Sequence, residues 1–475
     1  MTPDTRPLIL WFRRDLRLDD NPMLAAAAAT GRPVIPVFIA DEAVTDLGAA
    51  ARWRMGEAVG AFARALDEAG SRLILRRGRA EGVLRGLIAE TGAGGVWWTR
   101  TYDPAARARD GALKTALKKD GHEARSFAGH TLAEPWEVAT KDGGPFRVYS
   151  PFFKALDGKG VAPPVPAPER LTNPAGWPGS EDLRNWRLGA AMQRGEPIVA
   201  SHARIGEAAA QARLARFLSG AIETYRADRD FPARDAVSGL SENLTYGEIS
   251  PRRIWHAALA VEAAHPGHAG ALHFRKELAW RDFAHHLMYH TPHILTDNWR
   301  PEWDGFPWQG DSDSAERWRR AMTGEPFVDA GLRQMYVTGT MHNRVRMIVA
   351  SYLTKHLMTH WKIGMDWFAD CLTDWDPASN AMGWQWVAGS GPDAAPYFRI
   401  FNPATQAEKF DETKAYRKKF IAELSSAPGP EALAYFDAVP RSWALSPDQP
   451  YPAPLVDLAF GRQRALAAYE GRARA

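Results

Sequence analysis

The fold is decided by the stretch Leu8-Ile-Leu-Trp-Phe-Arg-Arg-Asp-Leu-Arg17, a short apolar run followed directly by a basic turn. The apolar run Leu8–Phe12 predicts a strand buried on both faces, as in a parallel sheet. Three further runs predict strands in the same way: Val34–Ala40, Arg72–Leu75 and Val96–Thr99. Segments between and after them are rich in Ala, Leu, Glu and Arg and predict helices: Asn21–Thr30, Ala50–Ala69, Ala80–Glu90 and Pro104–Lys119. This alternation predicts a doubly wound α/β domain. The first predicted strand is not followed by a GxGxxG motif, so the sequence does not support a nicotinamide dinucleotide site.

The remaining chain differs in character from this first part. Residues 158–197 are rich in proline and predict an extended linker. Beyond Ser201 the pattern is helical, with apolar residues at helical spacing from Leu214 to Tyr225. A length of 475 residues fits two or three domains. We therefore predict an α/β domain over 1–130, an interdomain linker over 131–200 and an all-α domain over 201–475.

Composition limits the classes of function. Lys plus Arg number 59 against 56 Asp plus Glu, so a basic surface for nucleic acid would have to be local. The single cysteine, Cys371, excludes an internal disulfide and any cluster held by several cysteines, and it fits a reducing compartment. With no signal-peptide pattern and no apolar run long enough to span a bilayer, we expect a soluble cytoplasmic monomer. The 19 tryptophans are unusually many, and twelve lie at or beyond Trp255.

Four clusters of polar and aromatic residues could carry chemistry, and each has a plain structural alternative. Residues 374–386 combine carboxylates, an amide and indoles. This composition is typical of a functional loop, but also of a purely structural loop that tryptophan side chains pack. Glu277 and Arg281 have the spacing of a surface helix pair. Residues 341–347 could bind phosphate through two arginines or form a solvated face. Four histidines lack acidic ligands at matching spacing, so we expect ordinary histidines and no metal site: His285, His286, His290 and His293.

Six segments, in order along residues 8–425, resemble the photolyase/cryptochrome family. They are Phe12-Arg-Arg-Asp-Leu-Arg-Leu-Asp-Asp-Asn-Pro22, Tyr225-Arg-Ala-Asp-Arg-Asp-Phe-Pro232, Glu277-Leu-Ala-Trp-Arg-Asp-Phe283, Thr338-Gly-Thr-Met-His-Asn-Arg344, Asn380-Ala-Met-Gly-Trp-Gln-Trp386 and Asp393-Ala-Ala-Pro-Tyr-Phe-Arg-Ile-Phe-Asn-Pro403. The resemblance implies an α/β antenna domain, a long linker and a helical domain that binds FAD and DNA. The chain is most similar to bacterial photolyases that act on cyclobutane pyrimidine dimers.

The resemblance also implies which residues bind FAD. The flavin phosphates would lie near Ser238, Gly239, Leu240 and Ser241. Val237 and Gly239 stand where relatives often have Thr and Arg, so this chain would rely more on backbone amides there. Other cofactor-binding residues carried over from the family are Tyr225, Phe274, Arg281, Arg346, Asp374, Asp376 and Asn380. Arg346 would pair with Asp374. Asn380 would face flavin N5, where plant-type cryptochromes tend to have Asp, and this neutral amide favours repair.

Electron transfer and substrate binding are implied in the same way. Trp384, Trp361 and Trp308 match the family's relay of oxidisable indoles, although each could be core packing. Trp280 and Trp386 would flank an extruded pyrimidine pair. Glu277 and Asn343 would hydrogen-bond the bases, with Met347 packed against them. Three arginines would contact the DNA backbone: Arg229, Arg344 and Arg399. Thr340 departs from the Trp that is common in relatives.

The implied activity is that of a carbon–carbon lyase, light-driven repair of cyclobutane pyrimidine dimers by an electron from excited reduced FAD. The alternatives are a cryptochrome-type photoreceptor, repair of (6-4) photoproducts, and a bare nucleotide-binding module on a helical scaffold. The iron–sulfur branch of (6-4) photolyases carries four cysteines, so the single cysteine of this chain rules that branch out. The animal-type (6-4) branch has a pair of histidines in this motif, whereas here Asn343 follows the single His342. A second chromophore, methenyltetrahydrofolate or 8-hydroxy-deazaflavin, is expected. Trp97, Trp98 and Tyr102 could stack on it or belong to the core.

Overall fold

The computed structural model describes residues 4–393 and 398–472. Its first part is a five-stranded, fully parallel sheet of order β3-β2-β1-β4-β5. The strands are β1 Leu8–Phe12, β2 Val34–Ala40, β3 Ile74–Arg77, β4 Gly95–Thr99 and β5 Glu123–Phe127. The predicted α/β class is confirmed, and the bounds of β1 and β2 are those predicted. The edge strand β5 is missing from the prediction because its sequence is largely polar and only partly buried.

Helices cover both faces of this sheet. They are α1 Pro22–Ala29, α2 Glu42–Thr45, α3 Ala49–Glu68, α4 Ala80–Thr91 and α5 Pro104–Lys119. Proline at the first position and an acceptor just before it begin two of them, since Asn21 accepts from Leu24 N and Asp103 from Ala106 N. Successive residues of β4 point to opposite faces, so Trp97 and Trp98 are both buried, in different apolar layers.

The rest of the described chain is helical, as predicted. Its α-helices are α6 Tyr149–Lys159, α7 Glu196–His202, α8 Glu207–Leu218, α9 Tyr225–Asp228, α10 Ser241–Tyr246, α11 Pro251–Ala264, α12 Ala269–His290, α13 Asp313–Arg319, α14 Pro326–Thr338, α15 Asn343–Ser351, α16 Trp361–Cys371, α17 Pro377–Ala388, α18 Pro403–Phe410, α19 Ala415–Phe420, α20 Pro430–Ala438 and α21 Leu458–Arg472. Short 3-10 helices lie at Leu183–Trp186, Ala190–Gly195, Pro292–Leu295, Pro301–Trp303, Ala422–Leu424 and Arg441–Trp443, and a π-helix at Tyr352–His356. Within the described ranges, no helix is long and apolar enough to cross a membrane.

The proline-rich segment runs along the sheet without forming a strand of it. Its backbone carbonyls accept hydrogen bonds from Asp20 N and Val34 N. Just before it, α6 packs against α12, so the stretch between sheet and helices contributes a helix to the helical core. The division at residues 130 and 200 stays a prediction.

A buried ion pair joins the sheet part to the helical part. Arg54 of α3 donates to both carboxylate oxygens of Glu248, at 3.0 and 2.6 Å, and both side chains are fully buried. Glu248 also accepts from Asn243 Nδ2 and Gly206 N. A charge removed from water in this way is tolerated only while its partner and these hydrogen bonds remain.

We expect Arg54→Met to destabilise the fold by about 3–5 kcal/mol, because it leaves Glu248 buried and unpaired. The measurement is the free energy of unfolding from denaturant titration. Arg54→Met combined with Glu248→Gln should recover part of that loss, and Arg64→Met, at an exposed site on the same helix, should change little. A cost below about 1 kcal/mol for Arg54→Met would contradict this account.

A second buried carboxyl fastens α12 to the loop after β5. Asp282 Oδ2 accepts from Leu132 N at 2.7 Å. Burial raises the pKa of Asp282 to about 7, and nearby Arg281 opposes that rise only in part. The folded protein therefore binds a proton here that the unfolded chain has lost, between about pH 4 and pH 7.

This difference predicts that the contribution of Asp282 to stability falls as pH rises from about 4 to 7, by up to about 1.4 kcal/mol per pH unit. Asp282→Asn keeps an acceptor for Leu132 N but cannot titrate, so its stability should lose this slope. Unfolding free energies of both proteins at pH 5 and pH 7.5 test the difference. Parallel pH profiles for the two proteins would refute it.

Candidate active site

Helix α12 carries one row of predicted site residues, which are buried or half-buried. Phe274, Glu277 and Arg281 recur at helical spacing, and Trp280 follows on the adjoining face. The Trp280 ring stacks on Tyr149 of α6 with ring centroids 3.7 Å apart and an interplanar angle of 9°. The Tyr149 hydroxyl donates to Lys276 O at 2.5 Å. Sequence reasoning missed Tyr149, because its partner lies 131 positions further along the chain.

The structure corrects the expected helix pair between Glu277 and Arg281. Glu277 instead pairs with Arg229, and His273 Nε2 lies 3.5 Å from the same carboxylate oxygen. Arg281 donates to His130 O at 2.8 Å. Arg229, just after α9, lies directly beside the Glu277 carboxylate, whereas the Arg281 side chain reaches the loop after β5.

The second predicted cluster, at the start of α17, is also linked to α12. Asp376 caps α17 by accepting from Ser379 N at 2.8 Å, and its other oxygen lies 3.3 Å from His285 Nε2. Although burial opposes ionisation, His285 and Arg281 hold the pKa of Asp376 well below its usual range. Burial and the neighbouring Arg281 lower the pKa of His130.

His130, His285 and Asp376 together offer a donor set that could bind a metal ion, since their ligand atoms lie within 4.8 Å of one another. Arg281 Nη2 is 3.2 Å from His130 Nε2, and its charge opposes a cation there. The neighbouring His286 and His290 each contact the backbone carbonyl of Pro135. The absence of a resident metal stays a prediction.

Arg346 and Asp374 form the ion pair predicted from the sequence. One guanidinium nitrogen of Arg346 donates to both oxygens of Asp374, at 3.0 and 2.8 Å, and Nε donates to Met341 O at 2.8 Å. Nearby, Asn380 Nδ2 donates to Met365 O at 2.9 Å, which leaves the Asn380 side-chain carbonyl available as an acceptor. Together these contacts fix two polar groups between α15, α16 and α17.

The predicted phosphate stretch lies just before α10. Ser238 Oγ accepts from Leu240 N at 3.4 Å, and Ser241 is the first residue of α10. Gly239 has a positive φ of 64°, which a residue without Cβ adopts without strain. Arg213 of α8 donates to Gly239 O and lies 3.8 Å from Glu242. Arg213 thus places a cation beside position 239, and sequence reasoning missed it because it lies 26 residues away in the chain.

An aromatic wall continues from this stretch towards α12. Tyr225 and Phe274 meet edge-to-face at 5.6 Å, and Phe217 contacts both rings. Burial raises the pKa of Tyr225 above its usual range, so the phenol stays neutral.

The three relay tryptophans differ in burial. Trp384 is buried and packs edge-to-face on Phe368 at 4.9 Å, and its indole lies so close to Gly364 that any side chain there would collide. Trp361 is fully buried and donates to Asn298 Oδ1 at 2.8 Å. Trp308 is half-buried, and His360 contacts the rings of both Trp308 and Trp361.

The other predicted substrate and DNA residues, beyond those on α12 and Arg229, lie on α15, α17 and the segment beginning at Phe398. Asn343 begins α15 and is exposed, while Met347, one turn later, is half-buried. Arg344 pairs with Asp230 and lies over the Phe410 ring. Residues 394–397 of the predicted Asp393–Pro403 segment lie outside the described residues.

Thr340 and Val237, two positions at which this chain differs from its relatives, lie in simple local surroundings. The Thr340 hydroxyl lies 3.1 Å from that of Thr338, within the turn between α14 and α15. Val237 is among the exposed large apolar residues. Trp386 and Arg399 both line one small cavity beside α21.

Two family models match the chain. One is described as DNA photolyase and matches residues 8–169, and the other, the FAD binding domain of DNA photolyase, matches residues 274–471. A deoxyribodipyrimidine photo-lyase of Agrobacterium fabrum is 47% identical over 99% of this chain and 98% of its own length. One from Synechococcus is 37% identical over 95% and 94%, and cryptochrome-2 of Arabidopsis thaliana 32% identical over 96% and 77%.

Solved structures agree with these sequence comparisons. The chain is similar to a bacterial class III photolyase from Agrobacterium tumefaciens, with a TM-score of 0.91 and 45% identity over 100% of this chain and 99% of the other. A Synechocystis cryptochrome gives a TM-score of 0.84 at 26% identity, over 98% and 99%. From this full-length likeness in both sequence and structure, the chain belongs to the DNA photolyase/cryptochrome family.

Proposed function

We propose that this protein repairs cyclobutane pyrimidine dimers in DNA, as a light-driven carbon–carbon lyase that uses reduced FAD. The observation that carries this function is the full-length similarity to deoxyribodipyrimidine photo-lyases, the first at 47% identity. The cryptochrome relatives are less similar, at 32% and 31% identity, so the photoreceptor reading stays the alternative.

The residues present fit a bound FAD. Arg213 and the amides around Gly239 suit a diphosphate, and Tyr225 and Phe274 offer an apolar wall. The indole nitrogen of Trp384 is buried without a hydrogen-bond partner among the described residues. When bound and reduced, FAD supplies the electron, under light, that splits the cyclobutane ring.

Around that cofactor, Arg346 would fix the position of the Asp374 carboxylate, because one guanidinium nitrogen donates to both of its oxygens. Asn380 would present its neutral amide to the flavin ring, held in place by its bond to Met365 O. A neutral group at this point adds no negative charge beside an electron-rich ring.

The substrate would leave the DNA stack and lie between Trp280 and Trp386. A damaged pair loses less stacking and pairing energy than an intact pair, and two indoles recover part of that loss. Tyr149 already supports the rear of Trp280, so only one indole face is available to the substrate. Glu277 and Asn343 would hydrogen-bond the base edges and Met347 would pack against them.

Arg229, Arg344 and Arg399 would contact backbone phosphates. In the protein alone, Arg229 pairs with Glu277 and Arg344 with Asp230. A phosphate would therefore have to exchange with a carboxylate at both sites. We also propose a second chromophore in the first part of the chain, and Trp97 and Trp98 are too deeply buried to stack on it. A monomer in a reducing cytoplasm remains our proposal, the compartment resting on the single cysteine.

The decisive test is illumination of the reduced protein with a duplex that carries one defined thymine dimer. We expect light-dependent restoration of the two thymines, measured by chromatography, and none in the dark. A matched duplex with a (6-4) photoproduct should stay unrepaired. No dimer repair, together with normal light-driven flavin reduction, would favour the photoreceptor reading.

A separate prediction concerns the tryptophan relay. Trp384→Phe should slow light-driven reduction of the oxidised flavin, because phenylalanine is far harder to oxidise than indole. The measurement is the loss of oxidised-flavin absorbance under blue light with an external reductant. Trp186→Phe, next to Phe38 in the sheet part, is the matched control and should behave as the wild type. An unchanged rate in Trp384→Phe would show that Trp384 is only core packing.

A further inference from the structure

His273 lies one helical turn before Glu277 on α12, and both side chains contact the guanidinium of Arg229. One nitrogen of that guanidinium, Nη1, donates to His273 Nε2 at 2.7 Å and also pairs with Glu277 Oε1. His273 Nε2 itself lies 3.5 Å from the same carboxylate oxygen. All three side chains are half-buried. They therefore form one cluster at the edge of the predicted pyrimidine site, in which Glu277 is already assigned a role and His273 is not.

The Arg229 contact fixes the protonation of the His273 imidazole. A guanidinium carries donors and no acceptor, so His273 Nε2 must accept with its lone pair and holds no proton. Burial lowers the pKa of His273, and the charge of Arg229 lowers it further. In the protein alone the imidazole is therefore neutral, and Arg229 is the counter-ion of Glu277.

Exchange of Arg229 onto a DNA phosphate would change this balance. Two acceptors would then face each other, His273 Nε2 and Glu277 Oε1, 3.5 Å apart and without a proton between them. Such a pair is unfavourable, and a proton on Nε2 converts it into a charged hydrogen bond. The imidazole is the group that takes this proton, because its ordinary pKa lies about 2 above that of a glutamic acid.

The other charged or titratable groups that face His273, among the described residues, do not take the place of Glu277. Lys276 on α12 and Arg226 on α9 oppose a positive charge on the imidazole. Tyr225 of α9 contacts the His273 ring, with centroids 6.0 Å apart, and burial raises the pKa of its phenol, which stays neutral. Glu277 thus favours protonation of His273, and it does so fully only once the arginine has left.

We propose that His273 is a positioning residue, which takes up a proton when damaged DNA binds and replaces Arg229 as the partner of Glu277. The proposal rests on the proposed function, because the phosphate that draws Arg229 away belongs to the dimer-containing DNA. The imidazolium would hold one oxygen of Glu277, and the other oxygen would accept from a base N–H. The proton comes from solvent and returns to solvent when the DNA leaves.

Calorimetric titration with the dimer-containing duplex, in the dark and in two buffers of different ionisation enthalpy, counts this proton. We expect uptake of up to about one proton per DNA at about pH 6.5, the ordinary pKa of histidine. Because the complex binds the additional proton, affinity should fall as pH rises, by up to about ten-fold per pH unit around that value. His265→Gln, at an exposed site between α11 and α12, is the matched control and should keep both the uptake and the pH dependence.

Two substitutions separate this role from a merely structural one. His273→Gln keeps an acceptor for Arg229 but cannot carry the charge, so proton uptake and the fall of affinity with pH should both disappear. His273→Lys carries its charge before DNA arrives. It should bind without proton uptake and, at every pH, about as tightly as the wild type does at low pH. Uptake that persists in His273→Gln but is lost in Glu277→Gln would place the proton on the carboxyl group and overturn the proposal.

The same titrations keep this proposal apart from the proposed function. Selective binding of the dimer-containing duplex by the wild type, without proton uptake, would overturn the role of His273 and leave the proposed function intact. Binding no tighter than that of an undamaged duplex would contradict the proposed function and the role of His273 together.

Discussion

The rest of the structure depends on charged side chains of the turn after β1 that are buried away from water. Asp20 in this turn is fully buried and pairs with Arg252 at the start of α11, and Asp19 pairs with Arg253. Arg17 donates to carbonyls on both sides of the junction, Gly129 O and Gly247 O. Asp20 and Arg17 are buried and cannot lose their partners cheaply, because desolvation has already removed the compensation that water would give. The two parts are therefore held in one arrangement.

This junction places the site. Ser250, the capping residue just before α11, donates its hydroxyl to Asp20, and α11 packs along α12. Helix α12 carries Glu277 and Trp280, so the position of the predicted dimer pocket follows from the turn after β1. The same region holds Glu248 against Arg54, just after α10 and the predicted phosphate stretch. The basic turn after β1 therefore links the sheet part of the chain to the helical part.

The elements that could be predicted are those whose signal is local. Continuous apolar runs identified β1 and β2, and helix-forming composition identified α3, α4 and α5 to within one residue at each end. The polar edge strand β5 had no such signal. Tyr149, Arg213 and His130 escaped prediction because each contributes only through a partner distant in the chain. Motifs could name the site residues, but only the fold shows what each one contacts.

Net charge says little about DNA binding here because most arginines already have carboxylate partners. Arg229 and Arg344 must each give up such a partner to contact a phosphate, and the Coulomb energy of the broken pair is subtracted from the energy gained. Affinity for DNA should therefore depend less on how many arginines the surface carries than on the carboxylate that each of them must first leave.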